Sequence, residues 1–259
     1  MKVAIISPTA YLPLLSGYQS NTYHLALAQR ILSDPTYKEF YLKLPQHNIQ
    51  IILDNGACEL GESIPTPDLI QACNLINPHI LVLPDVLNDG HKTINLVYKF
   101  LSNFPLNISQ LKFMAVVQGK TKQEWLDCLL QINKLNSVQY IGISNTNAIF
   151  NNDQHEFSRV KTINWLIENK LINPTKKIHL LGLGNSGHLE ISQLKHHSII
   201  EGVDTNGPVV HAYHGIKFSP KQKYTKIRTY LPPNCILTSD QITLAQHNIT
   251  ILFKSANYL

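Results

Sequence analysis

Short apolar runs alternate with amphipathic stretches through most of this chain, and that alternation limits its fold more than any other feature. Residues 3–7 form an apolar run closed by Pro8 and read as a first strand. Thr22 is placed to cap a helix over 23–32, where Leu25, Ala28, Ile31 and Leu32 recur at helical spacing; 37–44 is ambiguous, an extension of the helical region being one reading of it. Further strands are expected at 49–53, 79–83, 112–117, 138–143, 177–181 and 199–203. Between them the spacing predicts helices at 67–75, 90–104, 122–135, 159–170 and 188–196. Short connections join these units, with no low-complexity linker. Repeated strand–helix units demand a parallel sheet, and seven or eight of them in 259 residues point to a (β/α)8 TIM barrel, one domain over 1–259. An eighth strand is expected at 209–213 or 234–237, and the last helices within 239–259.

On this register the chemically useful residues stand just after strands. Asp54 follows the second, Asp85 the third and Gln118 the fourth; residues 142–145 cover the end of the fifth, 182–185 follow the sixth, and Asp204 ends the seventh. In a barrel all of these ends converge on one mouth. A single Asp at a strand end often caps the following turn, but three with a glutamine and two glycine-bearing turns form a constellation. Such carboxylates suit a hard metal or a polar ring equally well. A buried carboxylate and a glutamine read the donor and acceptor edges of a planar base, and glycines let the backbone approach it. A further carboxylate could attack a sugar carbon through an oxocarbenium-like transition state, so nucleoside or glycosidic chemistry is favoured.

Other features carry less chemistry. Gly182-Leu183-Gly184-Asn185-Ser186-Gly187 lacks the acidic partner of a dinucleotide loop, so backbone approach to a substrate is its better use. His196, His197, His211 and His214 read as surface residues rather than metal ligands. Four scattered cysteines suggest neither a zinc knuckle nor a disulfide framework, which favours a reducing cytoplasm. The apolar N-terminal run is too short for a signal peptide or membrane span. A net charge of +5 permits contact with a phosphate backbone without demanding it, and the dense cationic stretch is Lys217, Lys221, Lys223, Lys226 and Arg228.

Taken in order, Asp54-Asn55-Gly56-Ala57, Leu83-Pro84-Asp85-Val86, Val117-Gln118-Gly119, Ile141-Gly142-Ile143-Ser144, His179-Leu180-Leu181-Gly182-Leu183-Gly184 and Val203-Asp204 with Pro208 resemble the signature blocks of tRNA-guanine transglycosylases, the queuine and archaeosine tRNA-ribosyltransferases. The resemblance implies a TIM barrel that exchanges guanine in a polynucleotide for a 7-deazaguanine such as preQ0 or preQ1, with no cofactor. It implies Asp204 as the nucleophile and Asp54 as general acid/base. Asp85, Gln118, Gly119, Gly142, Leu181 and Gly182 would form the base pocket.

Three departures qualify that likeness. The family's Asp-Ser-Gly-Gly block reads Asp-Asn-Gly-Ala, its fifth-strand block continues as Ile143-Ser144-Asn145-Thr146, and its C-terminal zinc motif is missing, because only Cys235 follows Asp204. A compact zinc-free relative is similar to the DpdA-type enzymes that insert 7-deazaguanines into DNA, phage versions included. DNA is therefore the favoured partner over tRNA, with the Lys217 to Arg228 segment on its backbone and the host cytoplasm as the setting if the protein is phage-encoded. Alternatives are a nucleosidase or other small-molecule barrel enzyme, and a catalytically silent nucleic-acid-binding barrel.

Overall fold

A computed structural model of the protein describes residues 1–44, 48–104, 110–145, 158–227, 231–232 and 234–258. Eight parallel strands form one sheet: β1 (Lys2–Ile5), β2 (Tyr23–Leu27), β3 (Gln50–Asp54), β4 (Ile80–Val82), β5 (Lys112–Val116), β6 (Val138–Ser144), β7 (Lys177–Leu181) and β8 (Ile200–Thr205). They hydrogen-bond in the order β1-β8-β7-β6-β5-β4-β3-β2, so consecutive strands are neighbours and the sheet curls into a nearly closed (β/α)8 barrel. Between β1 and β2 the buried Asn21 bridges the seam. Its Nδ2 lies 3.1 Å from the carbonyl oxygens of both Val3 and Tyr23.

The helices are α1 (Ala28–Ser33), α2 (Pro35–Lys43), α3 (Ala57–Leu60), α4 (Thr66–Ile76), α5 (Gly90–Asn103), α6 (Lys122–Lys134), α7 (Ser158–Glu168), α8 (Gly187–Leu194), α9 (Gly207–Tyr213) and α10 (Ser239–Ala256). Local chemistry starts several of them. Asp34, Asp89 and Thr121 each accept a backbone N–H of the following turn, and Thr238 with Gln241 forms a reciprocal capping box on α10. That last helix packs on α8, α9 and β1, supplying the outer helix that the eighth strand needs.

Strand alternation sorts the core into two layers. Val3, Ile5, Leu53, Leu81, Ile141, Ile143, Leu180 and Val203 face the helices. Ala4, Leu25, Ile52, Ile80, Met114, Val116 and Tyr140 fill the barrel interior.

Two expectations need correcting. Residues 23–27 are strand β2, with only Ala28–Ser33 helical. All five side chains of Tyr-His-Leu-Ala-Leu are buried, so the segment carries no polar face to separate a strand from a helix. The eighth strand lies in neither proposed place: 209–213 belongs to α9, and 234–237 is non-helical, non-strand chain. Each later strand therefore moves up by one, and Asp204 lies on β8.

Candidate active site

The same alternation decides which polar residues turn inward. Leu53, Val117, Ile141, Ile143, Ile178, Leu180 and Val203 point to the helices, so their neighbours Asp54, Gln118, Gly142, His179 and Asp204 belong to the interior face or its mouth. Gly142 is inward for a steric reason as well, since a Cβ there would sit 2.9 Å from Leu181 Cδ1 and 3.2 Å from Val116 Cγ2.

One side of the mouth is an amide–carboxylate network. Asp85 is 2% exposed, and its two oxygens accept from Asn55 Nδ2 and Gln118 Nε2, each at 2.6 Å. Asn55 Nδ2 also donates to the Leu83 carbonyl, and its Oδ1 accepts from Ala57 N–H. Gln118 Oε1 accepts from Asn88 N–H. Burial raises the Asp85 carboxyl above its ordinary range, and the two amide donors pull it back.

Asp54 ends β3, and its Oδ2 accepts the N–H of Gly56 at 3.0 Å. Gly56 has φ +82°, and a Cβ there would meet Gln29 Oε1 at 2.8 Å, so the turn beside this carboxylate needs glycine. Burial raises the Asp54 carboxyl well above the usual carboxylate range, and the charges of Glu59, Asp204 and Asp85 push the same way. That placement draws Asp54, Asp85 and Asp204 together at one end of the barrel.

The opposite side is organised around Asp204, which is 6% exposed. Its Oδ1 lies 3.0 Å from His179 Nε2 and accepts the Gly182 N–H at 3.1 Å. Gly182 is left-handed, with φ +64°, the conformation that glycine adopts without strain. Its carbonyl accepts from Arg159 Nη2 at 2.6 Å, while Arg159 Nη1 donates to the carbonyls of Ile143 and Leu181. Arg159 Nε bonds Glu190 Oε1 at 2.6 Å, and both side chains are almost wholly buried. The guanidinium thus ties the ends of β6 and β7 to α8 and holds the Gly182 turn.

The expected residues are not all in equivalent settings. Gly119 packs on α6, where a Cβ would be 2.5 Å from the Trp125 backbone nitrogen, so tight packing explains its glycine. Leu181 joins the interior apolar layer. Lys217, Lys221 and Lys223 are exposed, and Lys226 is half-buried. This segment runs along the rim, because Ser186 and Tyr224 exchange backbone and hydroxyl bonds and Lys226 N–H donates to Asn185 Oδ1. Arg228 and Thr146 lie outside the described residues. His211 is buried rather than on the surface, its two nitrogens 2.8 and 3.1 Å from the carbonyls of Gly207 and Thr225. It anchors the rim segment to the turn after β8.

Sequence reasoning missed Asn55, His179, Arg159 and Tyr23. Asn55 and His179 stood within quoted motifs and carried a signal, polar type at an inward position. Tyr23 was hidden by the helix reading, and no local pattern marks Arg159.

No family model matches the chain, and no curated protein matches it either. Among the described residues no group of three or more His, Cys, Asp or Glu side chains is arranged to hold a metal ion. No helix among them is long and apolar enough to cross a membrane.

Proposed function

We propose that the protein is a base-exchange transglycosylase that replaces guanine in a polynucleotide, DNA in preference to tRNA, with a 7-deazaguanine. The observation that carries this reading is the division of labour among three carboxylates at one mouth. Asp85 is committed to amide donors, Asp54 is raised by burial and like charge, and Asp204 has one oxygen held by donors. Carboxylates pushed into different environments take different acid–base roles.

In this reaction an Asp204 oxygen attacks the anomeric carbon. The glycosidic bond breaks, its electron pair stays on the departing guanine, and Asp54 hands that base a proton. The incoming base then attacks the same carbon, the ester bond to Asp204 breaks with its pair returning to the carboxylate, and Asp54 takes the proton back. Microscopic reversibility makes one acid serve both halves. Asp85 and Gln118 are the groups that read a purine edge, while Asn55, whose two amide hydrogens go to Leu83 and Asp85, holds Asp85 in place. If the substrate is a duplex, the target nucleotide must leave the stack to reach a barrel mouth. Lys217, Lys221 and Lys223 on the rim suit the flanking phosphates, and their removal should flatten the salt dependence of binding.

The decisive experiment incubates the protein with guanine-containing DNA and, in parallel, tRNA, supplying labelled guanine or a 7-deazaguanine. Incorporation of label without strand cleavage, with a denaturation-resistant adduct, is the expected result. Release of free base without incorporation would make the protein a nucleosidase instead.

A further inference from the structure

Behind Asp204 lies a second buried group that the exchange reaction as described does not use. His179 is fully buried on β7, with Nε2 3.0 Å from Asp204 Oδ1 and Nδ1 2.8 Å from the Tyr23 hydroxyl. Tyr23, also fully buried, stands on β2 across the barrel interior. We infer that His179 is a positioning residue, its ring locked by Tyr23 so that Nε2–H pins Asp204 Oδ1 and leaves Oδ2 as the attacking oxygen.

The direction of each bond follows from the partners. A carboxylate only accepts, so the bond to Oδ1 requires the ring proton on Nε2. With the single ring proton on Nε2, Nδ1 offers a lone pair, and the Tyr23 O–H is the donor that meets it in this arrangement. Burial holds the Tyr23 phenol well above its ordinary value, which keeps that proton in place. The chain therefore runs from Tyr23 O–H to His179, and from His179 N–H to Asp204.

The barrel is shaped for this arrangement. A Cβ on Gly202 would fall 2.6 Å from Tyr23 Cε1 and 2.9 Å from its hydroxyl, so the ring can lie here only because residue 202 is glycine. With Gly182 N–H, His179 supplies the second donor to Oδ1, whereas no described residue hydrogen-bonds Oδ2. A carboxylate held by one oxygen cannot rotate away, and attack then proceeds from the uncommitted one. In that step Oδ2 bonds to the anomeric carbon as the bond to the base breaks and its pair leaves with the base. No proton passes through His179, whose role is orientation and so belongs in kcat rather than in binding.

This inference rests on the proposed exchange reaction, so its test has two arms. In the first, His179→Leu and His179→Gln are compared in label exchange on the better polynucleotide, after thermal melts show both folded. Glutamine can place an N–H near the position of Nε2. The leucine variant should lose about 10²-fold in kcat with KM little changed, consistent with the cost of a misplaced reacting group, and glutamine should restore at least about a tenth of wild-type kcat. Equal losses in both variants, or a loss carried by KM, would overturn the assignment.

The second arm needs no activity. Nitrogen NMR of the wild-type protein labelled in histidine should show the His179 proton on Nε2, and Tyr23→Phe should turn the ring into a mixture of tautomers. A proton on Nδ1 in the wild type sinks the inference. If the wild-type protein exchanges no base on either polynucleotide, the transglycosylase reading falls by itself, and the NMR result still decides the hydrogen-bond chain.

Discussion

The two ends of this barrel treat carboxylates in opposite ways. At the N-terminal end Lys2 Nζ bonds Glu201 Oε1 at 2.5 Å and Gln50 Oε1 at 2.7 Å, so a cation answers the carboxylate. At the mouth, among the described residues, no lysine or arginine forms an ion pair with Asp54, Asp85 or Asp204. A chain under selection for stability alone would neutralise or remove such carboxylates, because uncompensated charge in a low-dielectric site is costly. Under the proposed function the mouth is the working end, as the barrel architecture leads one to expect.

The sharpest way to break that contrast is at Asp204. Asp204→Asn should abolish the covalent adduct and reduce exchange by ~10⁴-fold or more, since losing a nucleophile costs far more than losing a contact. The same variant should melt at or above the wild-type temperature. A variant that still forms adduct at the wild-type rate would move the nucleophile elsewhere.

Next in size is Arg159, a buried cation near the mouth that serves the scaffold. Arg159→Met leaves Glu190 buried without its partner and frees three carbonyls, and should cost ~3–5 kcal/mol in denaturant unfolding. A loss below ~1 kcal/mol would show that the clamp relaxes or that Glu190 finds another donor.

A smaller effect of opposite sign is expected at Asp54. Its folded-state pKa is raised, so its contribution to stability is present below the ordinary carboxylate value and is lost as pH rises through the raised one. Asp54→Asn should therefore be more stable than wild type by ~0.5–2 kcal/mol at neutral pH, yet inactive in exchange. The stability gap should widen as pH climbs from the acid side. Melting curves at several pH values check the sign, and a gap that shrinks over that range refutes it.

Smallest is the paired end. Lys2→Met removes a half-exposed ion pair and should shift stability by no more than ~1 kcal/mol, with exchange kinetics unaltered. Altered kinetics there would mean that the two ends are coupled.

The sequence alone pointed to the parallel (β/α)8 architecture through seven of its eight strands, and to the line of polar residues at their ends. Both are local signals: an apolar run closed by Asp-Asn-Gly, Pro-Asp or Gln-Gly states where a strand stops and what stands just beyond it. The tertiary structure decided what those signals leave open. It showed Tyr-His-Leu-Ala-Leu to be a strand, because burial on both faces removes the periodicity that separates strand from helix. It also brought together Tyr23 and His179, 156 positions apart, and made Asn55 a link between Asp54's turn and Asp85. Such partnerships depend on which strands become neighbours when the sheet curls, and closure of the barrel is a long-range event that no window of sequence encodes.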